Sequence, residues 1–156
     1  VRDKADHRSE LKSVETDLRR CGIEGVLSDN ITRDALVKFS YVSAAGACGL
    51  YYNAAAGEIK KPGECRDCFV NLVKEVESLG GAMGIKFEED LADRNLKILN
   101  GLSDDTTTSM QRDVYANRKS EIDGLIYEVV RLGRQYKIPL PEYEKIADEM
   151  KARGLA

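Results

Sequence analysis

Tryptophan is absent from this chain, and histidine occurs once in 156 residues. With its one imidazole at His7, inside a charged terminus, the sequence has little to offer a histidine-centred catalytic triad. Phosphate-cradling loops are missing too. No two glycines have a single residue between them, so no GxGxxG can be written, and no GxxxxGK followed by Ser or Thr occurs. Aromatic residues make up only 6%, which leaves the core to Leu, Ile, Val and Ala. Charge of one sign is lacking as well: 24 basic residues face 27 acidic ones, with no Lys/Arg stripe or basic tail. That balance gives no electrostatic footing for nucleic acid.

The opening VRDKADHRSE is too charged for a signal peptide. Ala35 to Gly57 comes nearest to a long apolar run, with a single charge. It contains Lys38, Ser40, Ser43, Asn53 and three glycines, so it is expected to be a core helix and not a membrane span. The expectation is a cytoplasmic protein with no membrane or nucleic-acid partner.

Four cysteines occur, Cys21, Cys48, Cys65 and Cys68, and the last two form a CxxC. A structural zinc site usually brings a second ligand pair, and the spacing of Cys21, Cys48 and His7 is irregular. A redox motif would want a βαβ setting, whereas these surroundings read as helical. Cys65 and Cys68 are therefore expected to be free thiols at a helix start, with no metal bound.

What is present is helical periodicity. His7 to Arg20 is amphipathic through Leu11, Val14 and Leu18, and stops before Gly22. Ile23 to Leu27 is short and apolar, and a brief strand is expected there. Asn30 or Thr32 opens a long helix running to about Tyr52. Glu64 to Leu79 carries Phe69, Leu72, Val73 and Val76 at i, i+3, i+4 and i+7, with Gly80 and Gly81 at its end. Glu88 to Leu99 is a weaker helix, and Thr106 to Thr108 opens another helical turn. Ser120 with Asp123 makes a capping-box-like pair ahead of Ile122, Leu125, Ile126 and Val129. Tyr143, Ile146, Ala147 and Met150 stripe a last helix that ends at Gly154. Strand alternation is almost absent, so the fold class is all-α.

Lys38 is the most informative residue. Between Asp34 and Glu58 it is the only ionisable group besides three tyrosines and Cys48. Burial would favour its neutral form and bring it towards the range useful for proton transfer. On an exposed edge it would simply reach water. A second cluster runs from Ser109 to Asp113 and on through Ser120 to Asp123. Taken alone, Ser109 could bond its own helical turn, and Glu121 could offset a helix dipole.

Together these segments resemble the C-terminal domain of the ketopantoate reductase family. TSMQRDVYANRKSEID at Thr108 to Asp123 is similar to its signature, a Ser-Met, an Asp shortly after, then Glu-Ile-Asp. Gly124, the run Val129 to Gly133 and the Ile138 to Pro141 junction extend the likeness, and SDNITRDALVKF places Lys38 where that family has its catalytic lysine.

The resemblance implies a helical C-terminal domain of the 6-phosphogluconate dehydrogenase C-terminal-like type over residues 29–156. Residues 1–28 would be the end of a preceding Rossmann domain or a linker. It implies an NADPH-dependent 2-oxo acid reductase, of the kind that converts ketopantoate to pantoate in pantothenate biosynthesis. The cofactor half would lie outside this sequence, so the isolated chain is expected to be inactive and to bind NADPH weakly or not at all. Lys38 would stabilise the developing oxyanion and deliver the proton. Ser109 would bind substrate, and Glu121 would hold substrate and the nicotinamide end of the cofactor. A homodimer is implied by analogy, to which the small-residue-rich stretch Ser43 to Ala56, with Tyr51 and Tyr52, lends permissive support.

The sequence departs from the family where asparagines follow the lysine by one and two turns. Val42 and Gly46 stand there. The departure points to a different, more apolar 2-oxo acid, or to a non-catalytic helical oligomerisation or ligand-binding module. A zinc-stabilised adaptor built on Cys65 and Cys68 is the remaining alternative.

Overall fold

The computed structural model describes residues 8–155. The start expected at His7, and His7 as a metal-ligand candidate, lie outside the described residues. The chain divides into two compact units, residues 1–34 and 35–156.

In the first unit, α1 spans Arg8–Arg20. It ends as the glycine signal requires: Gly22 takes φ +75°, and Ile23 N donates to Leu18 O at 2.9 Å while Gly22 N donates to Arg19 O at 3.0 Å. These bonds satisfy carbonyls that the last turn would otherwise leave open. The strand expected at Ile23 to Leu27 is not formed, and there is no strand among the described residues. A strand needs a ladder partner, and here Leu27 N turns instead to Glu15 Oε1 at 3.4 Å. Leu11, Val14, Ile23 and Val26 stay exposed. Asn30 starts the next helix by accepting from Arg33 N at 3.1 Å, the N-cap role for which its short amide suits it.

That helix, α2, spans Ile31–Tyr52. In the second unit every residue from Ser43 to Leu50 is buried, the signature of a helix enclosed on all sides. Its side chains are small, and neighbours approach closely because of it. A Cβ on Gly46 would lie 2.5 Å from Met110 Cε, and one on Gly49 2.5 Å from the Gln111 amide. Since Ser43 to Leu50 is interior to one copy, it offers no face to a second. Of the stretch Ser43 to Ala56 expected to support a dimer, Tyr51, Tyr52, Asn53 and Ala55 keep some exposure.

Around α2 stand α3 (Ala56–Lys60), α4 (Glu64–Ala82), α5 (Leu91–Asn100) and α6 (Ser109–Tyr115). A π-helical turn at Asp123–Tyr127 runs into α7 (Glu128–Tyr136), and α8 (Pro141–Ala152) closes the chain. Helix α4 packs on α3, α5, α7 and α8 and buries Phe69, Leu72, Val73 and Val76. It continues through Gly80 and Gly81, where a stop was expected. Gly80 is held inside the helix by packing, since its missing Cβ leaves room for Phe87 and Leu36 at 2.6–2.8 Å. The stop falls instead at Gly84, φ +80°.

Three polar ties cross the core. Ser43 Oγ donates to Leu125 O at 2.5 Å, and its oxygen lies 2.6 Å from the Tyr143 hydroxyl. Glu75 of α4 accepts from Glu142 N at 2.8 Å and Tyr143 N at 3.0 Å. It thereby caps α8, whose own N-cap residue, Leu140, has no side chain able to do so. Arg153 donates to Leu50 O at 3.0 Å and Tyr51 O at 3.2 Å, placing a cation at the negative end of α2. Helix α8 ends just before Gly154, φ +73°, with Leu155 N on Met150 O at 2.9 Å.

Candidate active site

The cleft that Ser109 lines forms where α2 passes α6. Its volume is about 220 Å³. Tyr41, Val42 and Ala45 of α2 make one wall, Ile59 and Leu99 another, and the segment Thr106 to Ser109 with Gln111 forms the polar edge. The face is apolar along α2 and rich in hydroxyl groups along α6.

Helix α6 is fixed by its own sequence. Thr108 Oγ1 accepts from Gln111 N at 3.2 Å, and Gln111 Oε1 accepts from Thr108 N at 2.9 Å. This reciprocal capping box satisfies two donors of the first turn. The Gln111 Nε2 then donates to Ala54 O at 2.9 Å. One buried amide thus joins the start of α6 to the end of α2, and Ser109 is set beside the cleft as the first residue of the helix. The turn expected to open at Thr106 to Thr108 is confirmed, with Thr108 as the cap.

Lys38 lies on α2 at three, four and seven residues before Tyr41, Val42 and Ala45. It shares their face, one turn nearer the helix start. It is exposed, so the buried setting inferred from its apolar neighbours is not provided by this chain. The run around it is apolar because Val37, Phe39 and Ser40 turn inward, while Lys38 falls at the helix edge. Ser109, also exposed, lines the cleft with Val42.

Glu121 is not among the residues of that cleft. It is exposed in the bend just before the π-helical turn, and its carbonyl accepts from Leu125 N at 2.9 Å. Its neighbours Ser120 and Ile122 line a separate hollow of about 360 Å³ with Arg118 and Leu155. The capping box expected at Ser120 and Asp123 is not formed. Asp123 pairs instead with Arg131, at 2.9 and 3.0 Å, and that guanidinium holds its carboxyl below the usual carboxylate range. Asp113 accepts from Arg118 at 2.7 and 3.0 Å, bracing the loop that leads to Glu121.

Sequence reasoning missed Gln111 and Met110. Met110 Cε occupies the space that a side chain at position 46 would take, so the second family asparagine is replaced in volume by a thioether from α6. The Thr-x-x-Gln spacing at Thr108 to Gln111 was the available signal for the capping box. Among the described residues, no group of three His, Cys, Asp or Glu side chains is placed to hold a metal ion. No described helix is long and apolar enough to cross a membrane.

A comparison with curated protein sequences finds no match. Solved structures do match, and three are instructive. The dimeric ketopantoate reductase of Staphylococcus aureus aligns with TM-score 0.79 and 22% identity, over 91% of this chain and 50% of that one. The 2-dehydropantoate 2-reductase of Methylococcus capsulatus aligns with TM-score 0.83 and 21% identity, over 94% and 46%. D-mandelate dehydrogenase, solved with NADH and anilino(oxo)acetate, aligns with TM-score 0.81 and 17% identity, over 96% and 63%. The chain spans about half the length of the two reductases it matches and under two thirds of the dehydrogenase. At these identities the likeness shows the fold, an all-α domain as expected. The family described as ketopantoate reductase PanE/ApbA C terminal matches residues 30–154, and the chain belongs to that family.

Proposed function

We propose that this chain is the substrate-side domain of a nicotinamide-dependent reductase acting on a 2-oxo acid with an apolar side chain. The observation that carries the reading is the shared face of α2. On it Lys38 is followed at helical spacing by Val42 and Ala45, in a cleft edged by Ser109. Hydride delivered to a ketone carbon leaves charge on the oxygen, and an ammonium can stabilise that charge and donate the proton. Ser109 supplies a hydrogen bond to the substrate. Glu121 serves substrate and nicotinamide from the far side of the assembled site.

Val42, with Met110 filling the place beside Gly46, supports an apolar substrate. A buried asparagine left unmatched by its ligand is costly, and neither family asparagine is present here to demand a polar partner. The likeness to a dehydrogenase solved with an anilino(oxo)acid points the same way. The nicotinamide dinucleotide, taken as NADPH, would bind chiefly to a Rossmann domain preceding residue 29. Of this chain only Glu121 is assigned to it. The exposed row Leu11, Val14, Ile23 and Val26 is the surface such a domain would cover. The protein is proposed to act as a homodimer in the cytoplasm, and pantothenate biosynthesis is its pathway if ketopantoate proves to be the substrate.

The test is NADPH oxidation by the full-length protein with ketopantoate and a panel of apolar 2-oxo acids, beside Lys38→Ala. Loss of general acid catalysis is expected to lower kcat by roughly 10²- to 10⁴-fold. Equal turnover in wild type and Lys38→Ala would remove Lys38 from the chemistry. No turnover from a folded, NADPH-binding protein would favour the non-catalytic module.

A further inference from the structure

Helix α4 begins at Glu64, and Cys65 is its second residue, in the turn where backbone N–H groups concentrate positive charge. Cys65 is partly exposed, whereas Cys48 of α2 and Cys68 one turn further along α4 are buried. The Cys48 sulfur lies 3.2 Å from the Cys65 carbonyl oxygen and 3.5 Å from the Cys65 sulfur. Two helices distant in sequence thus place one accessible thiol against one enclosed thiol.

We propose that Cys65 and Cys48 form a redox-active dithiol that closes to a disulfide on reaction with a small-molecule disulfide such as glutathione disulfide. Cys65 is the attacking thiolate. Its sulfur displaces one glutathione thiolate and leaves Cys65 as a mixed disulfide. Cys48 then gives up its proton to solvent and attacks the Cys65 sulfur, releasing the second glutathione thiolate. Two protein thiols are oxidised and one glutathione disulfide is reduced to two thiols.

The geometry selects this pair over the CxxC itself. Cys65 and Cys68 both lie inside α4 at i and i+3, where Cβ atoms stand about 5–6 Å apart, wider than the roughly 3.5–4.5 Å a disulfide needs. The sulfurs of Cys48 and Cys65 are already near contact. The order of attack follows from the surroundings. The Cys48 thiol, hydrogen-bonding to Cys65, holds the Cys65 thiol below its ordinary range, against the opposing effects of burial and of Glu58. The same interaction with Cys65, a second with Cys68, and burial push the Cys48 thiol far up. Once Cys65 is in a mixed disulfide it is no longer a thiolate, and the hydrogen bond by which it holds the Cys48 proton is weakened with it. The sequence alone could not show this, because Cys48 stands 17 residues before Cys65 and joins it only when α2 and α4 pack.

The inference is independent of the reductase reading. It is tested on the intact protein in a Cys21→Ser background, which removes the exposed thiol of the first unit. The protein is equilibrated with glutathione disulfide, quenched by alkylation, and mapped by peptide mass spectrometry. The expected product is a Cys48–Cys65 cross-linked peptide that dithiothreitol reverses. Cys48→Ala is expected to stop at a stable glutathione adduct on Cys65, Cys65→Ser to give no cross-link, and Cys68→Ala to leave it intact. In short iodoacetamide pulses on the native protein, Cys65 is expected to label at least tenfold faster than Cys48. A Cys65–Cys68 linkage, or no cross-link in a protein whose folding is verified by circular dichroism, would overturn the proposal.

Discussion

Adding one methyl group to α2 should separate a rigid neighbour from a flexible one. At Gly49 a new Cβ would lie 2.5 Å from the Gln111 amide carbon and 2.6 Å from both its nitrogen and its oxygen. That amide is fully enclosed, and its Nε2 is bonded to Ala54 O at 2.9 Å. Its Oε1 is bonded to Thr108 N at 2.9 Å and Thr108 Oγ1 at 3.1 Å. Retreat therefore breaks at least one buried hydrogen bond, about 1–3 kcal/mol, on top of overpacking that costs roughly 1–3 kcal/mol. Gly49→Ala should lose about 2–6 kcal/mol. At Gly46 the obstruction is Met110 Cε at 2.5 Å, the end of a three-torsion thioether that can swing aside, so Gly46→Ala should lose less than about 1.5 kcal/mol. Gly81 sits in a helix with nothing near its missing Cβ, and Gly81→Ala should gain about 0.5–1 kcal/mol. Urea unfolding followed by circular dichroism measures all three. For a chain of this size each kcal/mol should move Tm by about 2–4 °C. If Gly49→Ala were as stable as wild type, or if Gly46→Ala cost more than Gly49→Ala, Gln111 would not be the pin between α2 and α6.

Two further outcomes test the polar ties. Ser43→Ala removes a donor to the Leu125 carbonyl and the partner of the buried Tyr143 hydroxyl, and should destabilise by about 1–3 kcal/mol in the same assay. Combined with Tyr143→Phe it should cost less than the sum of the single changes, and strict additivity would show that the two hydroxyls do not interact. Burial, set against bonds from Glu142 N and Tyr143 N, leaves the Glu75 carboxyl above its ordinary range. A raised carboxylate binds its proton more tightly when folded, so its contribution is present at low pH and lost as pH rises through the folded pKa. The stability advantage of wild type over Glu75→Gln should therefore shrink from about pH 4 upward, and an advantage that grows with pH would refute the sign.

Helix positions were legible wherever one face is apolar, as in α4 and α8. The cap at Thr108 and the stop at Gly154 follow from local chemistry alone. The errors lie where a distant partner decides. Gly80 and Gly81 read as punctuation, yet Phe87 and Leu36 pack into the missing side chain of Gly80 and the helix runs on. Ser120 and Asp123 read as a cap, yet Arg131, eight residues beyond Asp123, takes that carboxylate and the backbone enters a π-helical turn. Cys48 read only as an irregularly spaced candidate ligand, and its place beside Cys65 comes from the packing of α2 on α4.

The same distinction governs the site. Ser109 lines the cleft and Lys38 stands one turn of α2 before its Val42 wall, but both face water, and Glu121 lies elsewhere on the surface. A unit charge 4 Å from an oxyanion gives only about 1 kcal/mol in water and about 4 kcal/mol at an effective dielectric near 20. An exposed Lys38 is therefore worth little to a reducing site unless the cleft is closed over it. The α2 wall of Val42 and Ala45 supplies one dry side. On the reductase reading, the body that carries the nicotinamide supplies the other and brings Glu121 to the same substrate. The catalytic power assigned to Lys38 then belongs to the assembled protein, and this domain contributes its position.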